Sequence, residues 1–341
     1  MRAIVYAEKG PSSVMRLVER PVPEPGPGQV RVRLVRAGVN PTDWKARAGV
    51  TAPMGFAEVT PGQDGAGYVD ALGADTSGLA EGDRVWVYLG QHGLPFGTAA
   101  EYCVLDWHRV VRLPASLPGE EAFDLGASLG VPAVTAHRAL TSGRQNARLG
   151  PDSMAGQLVL VQGGAGAVGN AAIQLAAWSG ATVLTTVSSA EKATLATAAG
   201  SAHVVNYRTE DAAAAVHRLA PDGVDLIAEV SPAVNNELDI TVAANGATIA
   251  IYANNGGDAF SLDIRRTFTL NLRYQFMVLY TLDPALLAAA AEDVTAAVAA
   301  GALRAGEKAG LPLHHYPLAA IAEAHDAVER GAVGKVLLDI A

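Results

Sequence analysis

Apolar positions follow two different rhythms along this chain, and the change falls near residue 132. Before it, the runs QVRVRLVRAGV, GYVDALG, DRVWVYL and AEYCVLD alternate with Gly and Pro turns. Alternation sends successive side chains to opposite faces of a strand, so this half reads as a compact, largely antiparallel β domain. After it, strand and helix signals take turns: LVLVQ then NAAIQLAAWSG, ATVLTTV then AEKATLATAAG, HVVNY then EDAAAAVHRLA. VDLIAEV, GATIAIYA and LNLRYQFMVLY, Leu270 to Tyr280, complete the series. Such a succession predicts a doubly wound parallel sheet with helices on its faces, an α/β fold. From Asp283, PALLAAAAEDVTAAVAAGAL reads as a helix, LPLHHYPL as a strand, then come a helix ending near Arg330 and a last strand, KVLLDI. This tail is assigned back to the first domain. The expected division is therefore 1–132 with 281–341, around a second domain of 133–280.

Composition narrows the classes. With 341 residues, half of them hydrophobic, the chain can bury two packed cores. A formal charge of −9 supplies no basic field for nucleic acid or an anionic membrane. No apolar run is long enough for a membrane helix and MRAIVYAEKG is not a signal region, so a cytoplasmic enzyme is expected. The single cysteine, Cys103, excludes an intrachain disulfide and a multi-cysteine zinc site. Lying in a strand-like run, Cys103 reads as a small core residue, with a nucleophile as the alternative. None of the eight histidines forms an HExxH pair.

The chemistry concentrates after LVLVQ, in a turn with glycines at 164, 166 and 169. A lone GxGxxG also marks an ordinary strand-to-helix turn, but this one follows a strand, opens a helix and begins the alternating series. Gly164 is expected to make the tight turn, Gly166 to let backbone approach a pyrophosphate, and Gly169 to allow close helix packing. With Ala167 and Val168 these residues form the start of a helix, whose N-terminus favours an anion. A dinucleotide is the expected ligand.

AGVNPTDWKARAG, TPGQDGAGYV, GDRVW, PAVTAHRAL and the terminal GAVGKVLL, in this order around the Gly-rich turn, resemble the medium-chain dehydrogenase/reductase superfamily. More narrowly, the chain is similar over nearly its whole length to the zinc-free quinone oxidoreductases related to zeta-crystallin. The resemblance implies a GroES-like catalytic domain and a Rossmann domain with the active site in the cleft between them. It also implies NADPH as reductant and a homodimer formed through the last strand of the parallel sheet, LNLRYQFMVLY. Zinc enzymes of this superfamily carry a Cys where this chain has Asn40, and a His-Glu pair where it has Gln63 and Asp64. Amides replace thiolate and imidazole poorly, so no metal is expected.

Without a metal, fixed donors must stabilise charge on the substrate oxygen. The resemblance directs attention to Asn40, Asp43, Lys45 and Arg47, with Asn40 and Lys45 as donors. Asp43 and Arg47 are equally readable as a pair bracing the loop. Thr135 falls where the family approaches the nicotinamide, though a helix cap is an alternative use of its hydroxyl. For the cofactor's second phosphate, nothing from Gly163 through Ala190 is acidic, whereas Ser188, Ser189 and Lys192 offer two hydroxyls and a cation. The family adds a contact from Tyr207, with Arg208 beside it, and Glu191 is expected to point to solvent.

These readings describe a zinc-independent NADPH-dependent reductase acting on a quinone or an α,β-unsaturated carbonyl. An enoyl-thioester reductase of fatty acid or polyketide synthesis is an alternative. It is weakened by Thr51, which stands where many such enzymes place a Tyr. A non-catalytic NADPH-binding protein is another.

Overall fold

A computed structural model describes residues 1–51, 53–143 and 147–340. The chain divides into two compact units, Met1–Val131 with Pro312–Ala341, and Pro132–Leu311.

The first unit begins with β1 (Arg2–Val5), β2 (Arg16–Glu19), β3 (Gln29–Val39), α1 (Pro41–Ala48) and β4 (Asp64–Leu72). It continues with β5 (Arg84–Val87), β6 (Tyr102–Asp106), β7 (Val110–Arg112), α2 (Glu121–Gly126) and the first turn of α3 (Gly130–Leu140). In β3, Val30, Val32 and Leu34 enter the core while Arg31 and Arg33 point away, as period-two alternation requires. A register shift between Leu34 and Arg36 then brings Val35 and Ala37 into buried positions.

The second unit continues from α3 with β8 (Leu158–Gln162), α4 (Ala167–Trp178), β9 (Thr182–Val187), α5 (Ala190–Ala198) and β10 (His203–Asn206). Next come α6 (Ala212–Leu219), β11 (Val224–Glu229), α7 (Pro232–Val242), β12 (Ala243–Ile251), α8 (Ile264–Thr269), β13 (Arg273–Phe276) and α9 (Pro284–Ala299). Its six strands are all parallel and ordered β10-β9-β8-β11-β12-β13. The order reverses beside β8, so the carboxyl ends of β8, β9 and β11 flank the crevice where such sheets take ligands. Leu160, Leu184, Ile227 and Ile249 from the central strands build the core under α6 and α7.

The chain then returns to the first unit with β14 (Leu313–Pro317), α10 (Ile321–Glu329) and β15 (Lys335–Asp339). The larger sheet there runs β14-β15-β3-β4-β5-β7, with β6 also on β3, and is antiparallel except for the β14–β15 pair.

The second division falls at 311/312, so residues 281–311 lie with the parallel sheet and not with the first domain as expected. Side-chain amides on α4 explain why. Asn170 Nδ2 donates to the Ala309 carbonyl at 2.8 Å, and Gln174 exchanges bonds of 3.0 and 3.1 Å with the Arg304 backbone. Within α9, Asp293 accepts from Arg148 and the Leu149 N–H and bonds the His137 ring at 2.7 Å. Of the Leu270–Tyr280 run, only Arg273–Phe276 is a strand.

Candidate functional site

In the first unit the register of three strands converges on one buried cluster. β15 pairs with β3 so that Val336 opposes Val39, and β3 pairs with β4 so that Gly38 opposes Asp64. Asn40 leaves β3 in an extended conformation, and Pro41 opens α1 in the position where its missing N–H costs nothing. Asp43 completes the helix start by accepting the Asn40 backbone N–H at 2.7 Å. Gly49 ends α1 at φ 83°, in the left-handed conformation.

The outcome is a closed network. Lys335 Nζ donates to Asn40 Oδ1 at 2.7 Å and to Asp64 Oδ2 at 2.9 Å, while Asn40 Nδ2 donates to the same Asp64 oxygen at 2.8 Å. Asp64 Oδ1 accepts the Val131 N–H at 2.7 Å. Lys335 is 2% exposed and Asp64 0%, so this is a fully buried ion pair. The glycines around it make the room: a Cβ at Gly38 would meet the Lys335 side chain, and one at Gly130 the Asp64 carboxylate. Asp43, beside the cluster, has its carboxyl pushed up to about 7, first by burial and then by the Asp64 charge.

Arg47 is 1% exposed and does not pair with Asp43. Its guanidinium donates to the Gly10 carbonyl at 2.6 Å and to Glu329 at 2.9 Å, tying α1 to α10. His325, on α10, is buried; desolvation holds its ring down at about 3, and Nδ1 has no partner. Lys45 is half-buried on α1. Gln63 turns instead to Gln91 at 3.3 Å. Cys103 is buried and its thiol is pushed up to about 12, a core residue and not a thiolate. Among the described residues no group of three or more His, Cys, Asp or Glu is arranged to hold a metal ion.

In the second unit the Gly-rich turn joins β8 to α4. The left-handed residue is Gly163, at φ 74°, and not Gly164. Gly164 is required for space, since a Cβ there would collide with Thr185. At Gly169 a Cβ would collide with the Gly163 carbonyl, so turn and helix touch as expected. Gly166 is the N-cap of α4 and offers no capping side chain. The first amides of the helix, at Ala167 and Val168, are left for an outside acceptor. A pyrophosphate fits this cradle.

Beyond β9, Lys192 Nζ donates to Ser188 Oγ at 3.0 Å, and Ser189 caps α5 by accepting the Lys192 N–H at 3.3 Å. Glu191 is exposed and bonded to Ser189. Tyr207 is exposed, with the Arg208 guanidinium 5.7 Å from its ring centroid. Ser188, Ser189 and Lys192 follow β9, and Tyr207 and Arg208 follow the neighbouring β10, so adjacent strand ends supply them all. Thr135 is buried inside α3 as its sixth residue, which removes the capping alternative.

In the sequence Lys335 falls within GAVGKVLL with no local sign of a role, and Asp64 stands out only as a position where zinc enzymes of the family differ. A lysine opening a strand reads locally as surface. Its burial arises from pairing with segments some 270 to 295 residues away.

A GroES-like β unit with a dinucleotide-binding parallel sheet defines an oxidoreductase of the dehydrogenase/reductase class. The alcohol dehydrogenase GroES-like domain matches residues 26–115, and the zinc-binding dehydrogenase domain residues 167–295. The chain is 31% identical to a quinone oxidoreductase of Lama guanicoe over 99% of its length and 97% of the relative's, and 30% identical to the human one over the same shares. The chain belongs to the medium-chain dehydrogenase/reductase family, with quinone oxidoreductases as its relatives. Among solved structures, an NAD-dependent alcohol dehydrogenase superposes over all of both chains with TM-score 0.85 and 31% identity. A mycobacterial protein complexed with NADPH superposes over 99% of both with TM-score 0.81 and 29% identity.

Proposed function

We propose that the protein is a cytoplasmic, homodimeric NADPH-dependent reductase that needs no zinc and delivers hydride to a quinone or an α,β-unsaturated carbonyl. The observation that carries this reading is Lys335. Its ammonium lies between Asn40 and Asp64, two of the positions where zinc members of the family differ, so the cluster already contains a cation. A mycobacterial relative with bound NADPH supports the choice of cofactor.

NADPH, when bound, supplies the hydride; the protein's task is placement and charge stabilisation. The amides of Ala167 and Val168 would hold the pyrophosphate, and Ser188, Ser189 and Lys192, with Tyr207 and Arg208, the 2′-phosphate end. Thr135 would bond the carboxamide. Lys45 would donate to the substrate oxygen as it gains charge, whereas Asn40, 2% exposed and with its amide given to Asp64, belongs to the buried network and not to the substrate donors expected from the sequence. Asp43 and Arg47 act behind Lys45, one fixing the start of α1 and the other anchoring its end.

The test is NADPH consumption against quinones, enones and enoyl thioesters, before and after exhaustive dialysis against a chelator. Turnover with quinones or enones is expected, unchanged by dialysis. Activity lost to the chelator and restored specifically by zinc would overturn metal independence, and turnover confined to enoyl thioesters would replace the substrate class.

A further inference from the structure

At the carboxyl ends of β8, β9 and β11, beside the Gly-rich turn, lies a set of buried polar groups. Glu229 ends β11 and Asp239 projects from α7; each is 0% exposed. Glu229 accepts from the Ser231 N–H and from Asn235 Nδ2, the latter at 3.1 Å. Asp239 Oδ1 accepts from Gln162 Nε2 at 2.9 Å. Asp239 Oδ2 meets no N–H or hydroxyl donor, although the two carboxyl groups are within hydrogen-bonding reach of each other. Two carboxylates in contact inside a core, with amides and backbone as partners, cannot both stay ionised. A proton on Asp239 Oδ2 satisfies the orphaned oxygen and gives Glu229 another donor.

The rest of the chain of bonds has a fixed direction. Thr186 Oγ1 donates to Gln162 Oε1 at 2.5 Å, which orients the amide so that its nitrogen faces Asp239. The same Thr186 oxygen accepts the Gly163 N–H at 3.4 Å. Gly163 is the left-handed residue on which the turn depends.

We infer that Asp239 and Glu229 share one proton, and that through Gln162 and Thr186 this protonated pair holds Gly163, and with it the dinucleotide turn, in its binding conformation. The inference rests on reading that turn as the NADPH site. Asp239 and Glu229 are thus positioning residues. The other titratable groups near the pair are the phenols of Tyr252, just past the end of β12, and Tyr274, on β13. Burial and the two carboxyls hold both phenols above their ordinary value, so they stay neutral across the range in question. Arg266 lies beyond Tyr274 and is paired with Glu237. When the shared proton is lost as pH rises, like charges push α7 from β11 and the turn loosens. Its contribution to stability is full at low pH and disappears as pH rises through the pair's upper ionisation.

Asp239→Asn is the diagnostic variant, because an amide can donate to Glu229 and accept from Gln162 with no proton to lose; Glu229→Gln is its counterpart. NADPH dissociation constants and the unfolding temperature of cofactor-free protein are measured from pH 6 to 10, together with infrared spectra of cofactor-free protein. In difference spectra, wild type minus each variant, the wild type should show an additional C=O stretch of a buried protonated carboxyl, separate from that of Asp43, which itself holds a proton below about pH 7. Above the ionisation its NADPH affinity should fall by up to about tenfold per pH unit, while Asp239→Asn departs from that profile and keeps its affinity. A wild type without the additional carboxyl band, or an Asp239→Asn profile superimposable on the wild type, overturns the inference. Should NADPH fail to bind at any pH, the cofactor reading falls, and the infrared band and unfolding profile still decide whether the proton is shared.

Discussion

Lys335 faces Asp64 and Asn40 almost wholly out of solvent, so its substitutions separate pairing from packing. Lys335→Met fills similar volume but leaves Asp64 buried and unpaired, an expected loss of about 3–5 kcal/mol in denaturant unfolding. Adding Asp64→Asn should recover part of that loss, because the uncompensated charge is gone. If Lys335→Met alone costs no more than an ordinary surface substitution, the buried ion pair is not what holds β15, β3 and β4 in register. Asp43 offers a test by pH. Its carboxyl is held near 7 in the folded protein against about 3.9 in an unfolded chain. The folded state therefore binds this proton more tightly, and the stability linked to it is full below about pH 4 and is lost as pH rises through about 7. His325, held at about 3, acts in the opposite sense: its contribution is present above about pH 6.5 and lost as pH falls toward 3. The slopes oppose each other in wild type, so Asp43→Asn is the informative variant. Its unfolding temperature should gain on wild type between pH 5 and pH 8; an unchanged difference would refute the assignment. The sequence leaves Asp43 and Arg47 either as residues of the chemistry or as a pair bracing the loop, whereas in the structure each finds a different partner. The 3.6-residue repeat predicts neighbours along a helix, but not the Gly10 carbonyl or Glu329 on α10.

Among elements, the Gly-rich turn is the most legible, because a strand, three spaced glycines and an Ala-rich helix constrain one another locally. What could not be read was the division of labour between Gly163 and Gly164, since the crowding at Gly164 comes from Thr185 on the next strand. The subsite proposed for the 2′-phosphate is local too, as Lys192 lies one helical turn from Ser188 and bonds it. Lys192→Glu should therefore remove the cation and place a carboxylate at the same hydroxyls. NADPH should lose its preference over NADH chiefly through the cofactor's KM, with kcat little changed, as expected for binding shared by ground and transition states. The NAD-dependent alcohol dehydrogenase among the structural relatives makes this a real alternative. Equal kcat/KM with both cofactors in the unmodified protein would leave Ser188 and Ser189 as capping residues alone.

For the whole molecule, hydrophobic rhythm marks the first division within a residue or two, because alternation gives way to strand–helix succession there. It misplaces the second, because an Ala-rich helix carries no local mark of the unit it joins, and the Asn170, Gln174 and Asp293 bonds decide. Assembly follows from the remaining apolar surface. β13 is the edge of the six-stranded sheet, and beside its open backbone Phe276 is 58% exposed and Val278 50%. A flat apolar edge recruits another strand unless something covers it, and a second copy of the same edge across a two-fold axis is the simplest cover. A dimer mass is expected by light scattering at micromolar concentration. Phe276→Lys with Val278→Lys should place like charges opposite one another at the shared edge and shift the mass to that of a monomer. The interior β8–β9–β11 pairing is untouched by these changes, so cofactor binding should survive in the monomer. A wild-type protein that is monomeric at that concentration would show that this edge is not used for self-association.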